Sequence, residues 1–359
     1  MIEDVAAFFM NSITNNTNKG GCMERWKKRP EGSNWGEFGE DDQNGRLNLI
    51  TPDLIKKAAE EIQTGERFCL SLPLDLPGGN LLNANRHPPK LQPTMRGEKE
   101  NSNYLISQDF PQFYDVISDD AVFLHTQYST QWDGLSHVGQ EFDADDDGVA
   151  EVVYYNGYRG DQHVGKFGPD GVMYARALGI DSMAEKGVQG RGVMIDLVRH
   201  FGREAKSVGY DDLMRVMEQD DVTVELGDMV CLHTGFATMI VEMAGHPDKE
   251  KLHNSCATLN GRDKKLLNWI TDSGLSVLIA DNYAVETYPA QPGQGDCCAA
   301  LPIHEHCLFK LGIHLGELWY LADLNEWLKQ NGRSRFFLTA PPLRLPGAVG
   351  SPANPVATV

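Results

Sequence analysis

Polar side chains of the kinds used in acid–base and metal chemistry alternate along residues 125–133. The side chains at every second position are those of His125, Gln127, Ser129, Gln131 and Asp133. Because side chains of an extended strand point alternately to its two faces, this spacing predicts that they share one face, with His137 nearby. Phe123, Trp132 and Leu135 are apolar neighbours. We therefore expect the polar face to line a cavity rather than to meet bulk solvent.

The segment from Gln127 to His137 resembles the motif of the metal-dependent cyclase family, which includes bacterial kynurenine formamidase and isatin hydrolase. The family motif reads His-x-Gly-Thr-His-x-Asp-x-Pro-x-His, and Thr130, Asp133 and His137 match it. Gln127 and Gln131 stand where the family has its first two metal-binding histidines. The departures from the motif therefore fall on the metal ligands themselves.

Other segments resemble the same family, in the same order along most of the chain. They are residues 35–36, 42–49, 192–197, 227–230, 304–308 with Gly312 and Glu317, and 337–343. The resemblance implies a swivelling β/β/α fold of the α/β class, in which helices flank a mixed sheet. It also implies a homodimer or homotetramer, since family members usually assemble with their sites near subunit contacts.

By position, the resemblance assigns metal ligands and a proton carrier. The residues at the ligand positions are Asp133, His304 and Glu317, and His137 is at the position of the acid/base group. In the family such ligands hold one or two divalent ions, which lower the pKa of bound water. Glu305 and His306 stay alternatives to His304, because the gap to Glu317 is one residue longer than in short family members.

The two glutamines make the identity of the metal an open question. An amide oxygen is a harder and weaker donor than an imidazole, so zinc affinity should fall. Three outcomes follow: a harder ion such as Mn²⁺ binds, His125 replaces one missing imidazole, or no metal binds and the glutamines hold the substrate. Gln127, Gln131 and His125 are accordingly candidate ligands.

Further candidates follow the apolar run that ends at Ala280. Asp281 and Glu286 are placed to bind substrate, to move a proton or to orient a histidine. A surface ion pair is the alternative for Glu286. Aromatic residues could form a flat pocket wall for an aromatic or cyclic substrate, and the candidates are Trp35, Tyr128, Trp132 and Tyr283. Trp132 has the opposite parity to the polar face, so a place in the core is its alternative.

Composition limits the partners. The 359 residues include 32 Lys and Arg against 51 Asp and Glu, a formal net charge of −19, which disfavours nucleic acids and anionic membranes. We expect a small-molecule substrate. The chain starts without a basic and apolar leader and has no apolar run of about 18 residues, so a cytoplasmic location is expected.

Two other patterns invite chemical readings that we disfavour. The seven cysteines form no disulfide or zinc-finger spacing, and a nucleophile among Cys297, Cys298 and Cys307 is less expected than buried, inert thiols. Residues 143–148 resemble the start of a calcium loop. Its twelfth position, however, is Tyr154 rather than glutamate, which favours a solvated acidic turn.

Along the chain, residues 1–33 read as an N-terminal arm and residues 34–359 as one domain. A helix should begin at Thr51-Pro52 and end at Thr64-Gly65. Residues 77–98 predict a long loop, a lid or partner contact, in which His87 is a surface or substrate-contacting residue. Strands and helices should then alternate, at residues 192–197, 210–219, 229–233, 264–271, 276–280 and 321–329, which favours an α/β fold.

The sequence favours a hydrolase that cleaves the C–N bond of a cyclic or aryl-substituted amide with metal-activated water and His137 as proton shuttle. A second hypothesis is a lyase, dehydratase or cyclase with little or no metal dependence, in which His137 and Glu286 move protons at a carbon acid. A third is a catalytically silent binding protein of the same fold.

Overall fold

A nine-stranded mixed sheet forms the centre of the computed structural model, which describes residues 25–169, 171–293 and 298–359. In chain order its strands are β1 (Arg67–Cys69), β2 (Gln131–Asp133), β3 (Gln189–Asp196), β4 (Met229–His233), β5 (Val277–Ala280), β6 (His314–Glu317), β7 (Arg335–Thr339), β8 (Gly350–Pro352) and β9 (Val356–Thr358). Their order across the sheet is β1-β9-β7-β3-β4-β5-β6-β2-β8. The expected α/β class with a mixed sheet is confirmed.

Strands β3, β4, β5 and β6 are parallel neighbours, whereas β2 pairs antiparallel with β6. The central strands β4 and β5 are short, mainly apolar runs that are buried on both faces, as parallel strands covered by helices are. Because parallel strands end at the same edge, Asp196, His233, Asp281 and Glu317 lie along one edge of the sheet. Polar residues at such an edge are in the usual position for a functional site.

Alternate residues of the central strands enter two separate apolar layers. Val193, Val230 and Leu278 pack with the helices Tyr210–Gln219 and Lys264–Asp272 on one face. On the other face, Met194, Cys231 and Ile279 join a cluster with Leu324 and Leu328, and with the helix Ile180–Lys186. Helices therefore flank the sheet on both sides, as expected.

Most of the predicted elements in the second half of the chain are confirmed. The helix Tyr210–Gln219 and the strand Met229–His233 have the predicted bounds. The first helix, Pro52–Ala59, ends earlier than predicted, because the chain turns so that the N–H groups of Thr64 and Gly65 donate to the carbonyl of Val359. The remaining helices are Leu197–Phe201, Phe236–Glu242, Lys249–His253, Pro302–His304, the π-helix Glu305–Leu311, Ala322–Gln330, and the 3₁₀ turns Gly45–Leu49, Ile106–Gln108 and Tyr155–Gly157.

Two-stranded ribbons lie outside the main sheet. They pair Lys90–Pro93 with Asp120–Phe123, Met95–Arg96 with Lys99–Glu100, Tyr104–Leu105 with Val116–Ile117, Gln140–Phe142 with Glu151–Val153, Val164–Phe167 with Val172–Ala175, and Lys206–Val208 with Ala257–Leu259. Residues 90–123, which we call the ribbon segment, contain the first three ribbons and expose large apolar side chains, including Leu91, Tyr114 and Phe123.

The predicted long strand through residues 125–133 is wrong in extent. Only Gln131–Asp133 is strand, and residues 126–130 form turns and bends. The turn is fixed by Thr130, whose hydroxyl donates to the carbonyl of Leu318 and accepts from the N–H of Leu72. The polar alternation therefore places only Gln131 and Asp133 on a common strand face.

The expected N-terminal arm falls mainly on residues 1–24, which lie outside the described part of the chain. Residues 25–33 pack on the domain: Arg25 pairs with Asp41, and Trp26 meets Trp35 edge to face. Across the described residues, every helix is too short or too polar to cross a lipid bilayer.

Candidate metal centre

The antiparallel pairing of β2 and β6 builds one half of the site. In this register Gln131 lies directly opposite Glu317, so their side chains project to the same face. The Gln131 amide Nε2 donates to Glu317 Oε2 at 3.2 Å and to Asp133 Oδ1 at 3.2 Å. All three side chains are buried. Two strands thus hold two carboxylates on either side of one amide.

The other half comes from the short helix Pro302–His304, whose first turn is anchored by Glu286. The backbone N–H groups of Ile303 and His304 donate to the Glu286 carboxylate at 2.9 to 3.0 Å, as free N–H groups at a helix start do with anions. His304 Nδ1 contacts the same carboxylate at 2.9 Å. A Cβ at Gly261 would lie 2.5 Å from Glu286 Oε2, so glycine permits this close approach.

His304 Nε2 faces both strand carboxylates. It lies 3.3 Å from Glu317 Oε1 and 3.8 Å from Asp133 Oδ2. Ligand atoms of Asp133, His304 and Glu317 all lie within 4.8 Å of one another. Since Glu286 occupies Nδ1, only Nε2 is available as a ligand, and a carboxylate behind the ring is the usual support of a metal-binding histidine.

Burial and mutual contacts shift the titration of these groups. Burial raises the pKa of Asp133, and the nearby His137 offsets part of this effect. For Glu317, burial alone would raise the pKa, but the hydrogen bond from His304 and the positive charges nearby together lower it. Burial alone would lower the pKa of His304, but hydrogen bonds to Glu286 and Glu317 raise it to about 10. Without a bound cation, a protonated His304 therefore offsets part of the charge of these carboxylates.

Two buried oxygens of this cluster are suited to bind a cation. Asp133 Oδ2 and Gln131 Oε1 are buried without a hydrogen-bond partner among the residues that the structure describes. Unsatisfied buried oxygens are costly, and a bound ion would satisfy them. The amide of Gln131 can also turn its oxygen toward the cluster, because its two ends have nearly the same shape. The donor set, two carboxylates with one imidazole, therefore fits a divalent ion.

A cavity of about 180 Å³ opens beside this cluster. Its lining includes Asn83, Arg86, His137, Tyr283, His304 and Glu317. His137 follows β2 through a turn in which its N–H donates to the carbonyl of Gly134, and its Nε2 lies 3.8 Å from Asp133 Oδ1. The proton carrier expected from the sequence is therefore partly exposed at the wall of the cavity, next to a candidate ligand.

Comparisons with known proteins show the family to which this sequence and fold belong. The sequence profile of the Cyclase family matches residues 69–287, more than half of the chain. A crystal structure described as a novel cyclase is 32% identical, with a TM-score of 0.71, over 91% of this chain and 97% of that one. The chain belongs to the cyclase family.

More distant cyclase-family structures share the fold at low identity. Isatin hydrolase A from Labrenzia aggregata is 12% identical, with a TM-score of 0.52, over 87% of this chain and 98% of its own. Isatin hydrolase A from Ralstonia solanacearum is 14% identical, with a TM-score of 0.50, over 81% and 91%. No protein of curated function matches the sequence significantly.

The cyclase fold leaves Gln127 and His125 outside the cluster. Gln127 lies in the turn before β2, where its Oε1 accepts from the Thr126 hydroxyl and its Nε2 packs against Gly350. His125 Nδ1 lies 3.2 Å from the backbone N–H of His87. The structure therefore does not bring the candidate ligands Gln127 and His125 together with Asp133, because the turn at 126–130 separates them from the strand.

Most of the expected aromatic pocket wall lies elsewhere. Trp35 and Trp132 are fully buried in the core, where their indole N–H groups donate to the carbonyls of Phe309 and Ala340. Tyr128 is also buried, and its hydroxyl donates to the carbonyl of Gly79. The cavity wall therefore lacks three of the residues that were expected to bind substrate, namely Trp35, Tyr128 and Trp132. Tyr283 alone among the expected aromatic residues lines the cavity.

Neither of the two acidic candidates after β5 lines the cavity. Glu286 holds the helix and ring of His304, so it is placed as a positioning residue rather than at the cavity. Asp281 accepts hydrogen bonds from the N–H and hydroxyl of Thr234 and from the N–H of Gly235. Its oxygens are therefore already occupied by its own chain rather than free for a substrate.

The alternatives to His304 point away from the cluster. Glu305 pairs with Lys310, and His306 Nε2 contacts the Thr271 hydroxyl. Burial lowers the pKa of His306 to about 4.

Burial also raises the pKa of the Cys307 thiol, which leaves it protonated and unsuited to nucleophilic attack. Cys298 is exposed, and Cys297 lies outside the described residues.

The acidic turn brings a second group of carboxylates together. Asp143, Asp145 and Glu151 lie close to one another, and Arg159 pairs with both Asp145 and Glu151. Asp143 accepts from the backbone N–H groups of Asp147 and Gly148, four and five residues later, and so closes the acidic turn. The guanidinium of Arg159 therefore already supplies positive charge to this group.

Sequence reasoning missed Arg86, a half-buried cation at the cavity. Its Nη1 donates to the carbonyl of Gln127 at 2.7 Å. The signal for it in the sequence is an arginine inside the long Pro- and Asn-rich loop, next to the candidate His87. Nothing in the local pattern connects residue 86 with strands that begin 45 or more residues later.

Proposed function

We propose that this cyclase-family protein is a metal-dependent hydrolase that cleaves the C–N bond of a small amide, cyclic or aryl-substituted. The observation that carries the proposal is the convergence of Asp133, His304 Nε2 and Glu317 within 4.8 Å at the wall of a cavity. Their two carboxylates and one imidazole are hard or intermediate ligands, which favours Mn²⁺ or a similar ion over Zn²⁺.

A divalent ion held by these three residues would supply a water molecule of lowered pKa and would polarise the amide carbonyl. Glu286 keeps the Nδ1 proton of His304, so that Nε2 presents its lone pair to the cluster. Gln131 turns one end of its amide toward Asp133 and Glu317 and thereby keeps the two carboxylates apart.

His137 is the group placed to move the proton. Its side chain is partly exposed in the cavity, and its Nε2 is 3.8 Å from Asp133 Oδ1. An imidazole can take a proton from water and return it to the leaving nitrogen. Return of that proton is required, because an amide nitrogen leaves readily only as a neutral amine.

The cavity favours a small substrate with one ring. Pockets for drug-sized ligands commonly measure about 300–1,000 Å³, and this one has about 180 Å³. Tyr283 contributes an aromatic wall, and its hydroxyl is held by the Asn83 side chain at 3.0 Å. An aryl formamide or a compact cyclic amide matches this size and lining.

The test is a substrate screen on protein stripped of metal and then reloaded with Mn²⁺ or Zn²⁺. Cyclic amides, aryl formamides and lactones form the panel. We expect hydrolysis of at least one amide by the Mn²⁺ protein and little by the stripped protein. Turnover that is unchanged by stripping, or turnover confined to substrates without a C–N bond, would contradict the proposal.

A metal-independent lyase or dehydratase is the second candidate, and the amide of Gln131 favours it. Its NH₂ group donates to both Asp133 and Glu317, so the two carboxylates are partly satisfied without an ion. In that case His137 would move a proton at a carbon acid. Elimination or ring closure by the stripped protein, followed by mass spectrometry of the product, distinguishes this candidate.

We also propose that the protein acts as a homodimer or homotetramer. The ribbon segment supports this, because it exposes several large apolar side chains, and exposed apolar patches often mark interfaces between proteins. The most exposed among them are Leu91, Met95, Tyr114 and Phe123, at 72%, 60%, 92% and 64%. Light scattering after gel filtration should give the mass of two or four chains, and a monomer would contradict the proposal.

A further inference from the structure

Arg86 is a cation with spare hydrogen-bonding capacity at the cavity wall. A guanidinium has five N–H donors, and one bond is made here, from Nη1 to the carbonyl of Gln127. Within the described ranges, Arg86 has no carboxylate within 4.0 Å. A half-buried arginine without an acidic partner, beside a cavity, has donors left for a ligand.

The loop around Arg86 fixes where its guanidinium lies. The N–H of Arg86 donates to the carbonyl of Asn83, which closes a turn, and the Asn83 side chain donates to the Tyr283 hydroxyl at 3.0 Å. The guanidinium carbon lies 5.9 Å from the centre of the Tyr283 ring. The Gln127 carbonyl and the Tyr283 ring therefore hold the side chain, and the turn with Asn83 holds its backbone, before a ligand arrives, which reduces the entropy lost on binding.

Arg86 is the only lysine or arginine among the described residues that line the cavity. The carboxylates of Asp133, Glu317 and Glu286 surround the cluster, and none of them lies within 4.0 Å of the guanidinium. The remaining donors of Arg86 therefore lack a carboxylate partner among the described residues. A carboxylate group of a ligand would supply one, since its planar shape matches the fork of a guanidinium.

We propose that Arg86 binds a carboxylate group of the substrate, so that the natural substrate is a small amide carrying a carboxylate. The carboxylate lies against Arg86 and Tyr283, and the amide carbonyl lies toward Asp133, His304 and Glu317. This assignment rests on the proposed amide hydrolysis for its reaction but not for its binding chemistry. The opposite reading is that Arg86 only fastens its loop to the carbonyl of Gln127.

The kinetic test compares substrates that differ by one carboxylate. Formanilide is neutral, and the three formamidobenzoates carry the charge at the ortho, meta or para position. We expect wild-type kcat/KM to be higher for at least one formamidobenzoate. Arg86→Gln should lower that value by about 10- to 100-fold, mainly through KM, the range for a hydrogen bond to a charged group, and leave formanilide nearly unchanged.

Two further variants separate binding from structure. Arg86→Lys keeps the charge but loses the fork, so it should recover only part of the carboxylate preference. Arg344→Gln changes the net charge equally at an exposed ion pair with Glu185, outside the cavity, and should have no effect. Equal losses on formanilide and formamidobenzoates in Arg86→Gln would show a purely structural role and overturn the proposal.

A binding experiment keeps the proposal testable if the wild type hydrolyses none of these amides. Benzoate and benzamide have nearly the same shape and differ in charge. We expect calorimetry on the Mn²⁺-loaded protein to show benzoate binding that Arg86→Gln weakens about tenfold or more, with weaker benzamide binding in both. Benzoate binding without amide turnover would refute only the proposed reaction, whereas amide turnover with equal affinity for benzoate and benzamide would refute only the role of Arg86.

Discussion

Two clusters of carboxylates and histidine lie at the same edge of the sheet, yet they are built differently. In the candidate metal centre, Asp133 and Glu317 both approach Nε2 of His304. In the second cluster, Asp196 lies 3.2 Å from His233 Nδ1, and Asp281 lies 4.0 Å from His233 Nε2. The first pair of carboxylates converges on one ring nitrogen, whereas the second pair lies on opposite sides of a ring.

The clusters also differ in how many hydrogen bonds their carboxylates receive from the chain. Asp281 accepts three bonds, and Asp196 accepts from Arg199, His233 and Asn325. Asp133 accepts only from the Gln131 amide, and its Oδ2 has no partner in the described part of the chain. A carboxylate whose two oxygens both accept hydrogen bonds connects loops to the sheet. A carboxylate oxygen at a cavity that lacks a donor is available to a ligand.

The comparison predicts that equivalent substitutions in the two clusters have opposite consequences. Asp133→Asn should abolish metal binding and lower turnover by about 10³-fold or more, since Lewis-acid help is worth several kcal/mol. Asp281→Asn should keep the metal but lower the free energy of unfolding by about 3 kcal/mol, because the new NH₂ group faces N–H donors. Elemental analysis and urea unfolding of both variants check this. Loss of metal from both, or from neither, would remove the distinction.

The next largest effect concerns the proton carrier. His137→Asn should lower turnover by about 100-fold or more and leave metal content unchanged, because the imidazole moves a proton but is not a ligand. Steady-state kinetics on the best amide of the panel, with metal content measured on the same sample, is the check. Full activity in this variant would place the proton transfer on another residue.

A smaller effect is expected from the residue behind His304. Glu286→Gln keeps the shape of the side chain but removes the negative charge that holds the Nδ1 proton. Metal affinity should fall by about 10- to 100-fold, as is usual for the loss of a partner of a ligating histidine. Calorimetric titration with Mn²⁺ measures it. An unchanged dissociation constant would mean that the helix alone positions His304.

The smallest effect is expected at His125. This residue contacts His87 and lies apart from the cluster, so His125→Ala should leave metal content and Mn²⁺ affinity unchanged. Parallel elemental analysis of the wild type and this variant is sufficient. A clear loss of metal would show that His125 swings into the site and would extend the cluster beyond β2.

The sequence contains enough information to locate most of the candidate metal centre. The resemblance to the family assigns Asp133, His304 and Glu317, each of which ends a strand or a short helix, and His137, which follows β2 in a turn. The central parallel strands were also predictable, because continuous apolar runs flanked by helical periodicity have few other interpretations. The paired register that brings Gln131 opposite Glu317 could not be read from either strand alone.

The failures share a physical cause, namely contacts between segments distant in sequence. The polar alternation at 125–133 looks like a strand, yet Thr130 bonds to Leu318 and Leu72 and turns the chain. Trp35 is of a residue type that often lines pockets, but its indole N–H donates to the carbonyl of Phe309 in the core. Arg86 lies at the cavity because its loop contacts Gln127 and Tyr283, which are distant in sequence.

The central claim is that the converging cluster holds one metal ion, and metal content is its most direct test. Protein purified without chelators should contain about one divalent ion per chain, with Mn²⁺ or another hard ion favoured over Zn²⁺ on reloading. Chelation should remove both the ion and the hydrolytic activity, and Mn²⁺ should restore them. Protein that is free of metal as purified and fully active after exhaustive chelation would contradict the account.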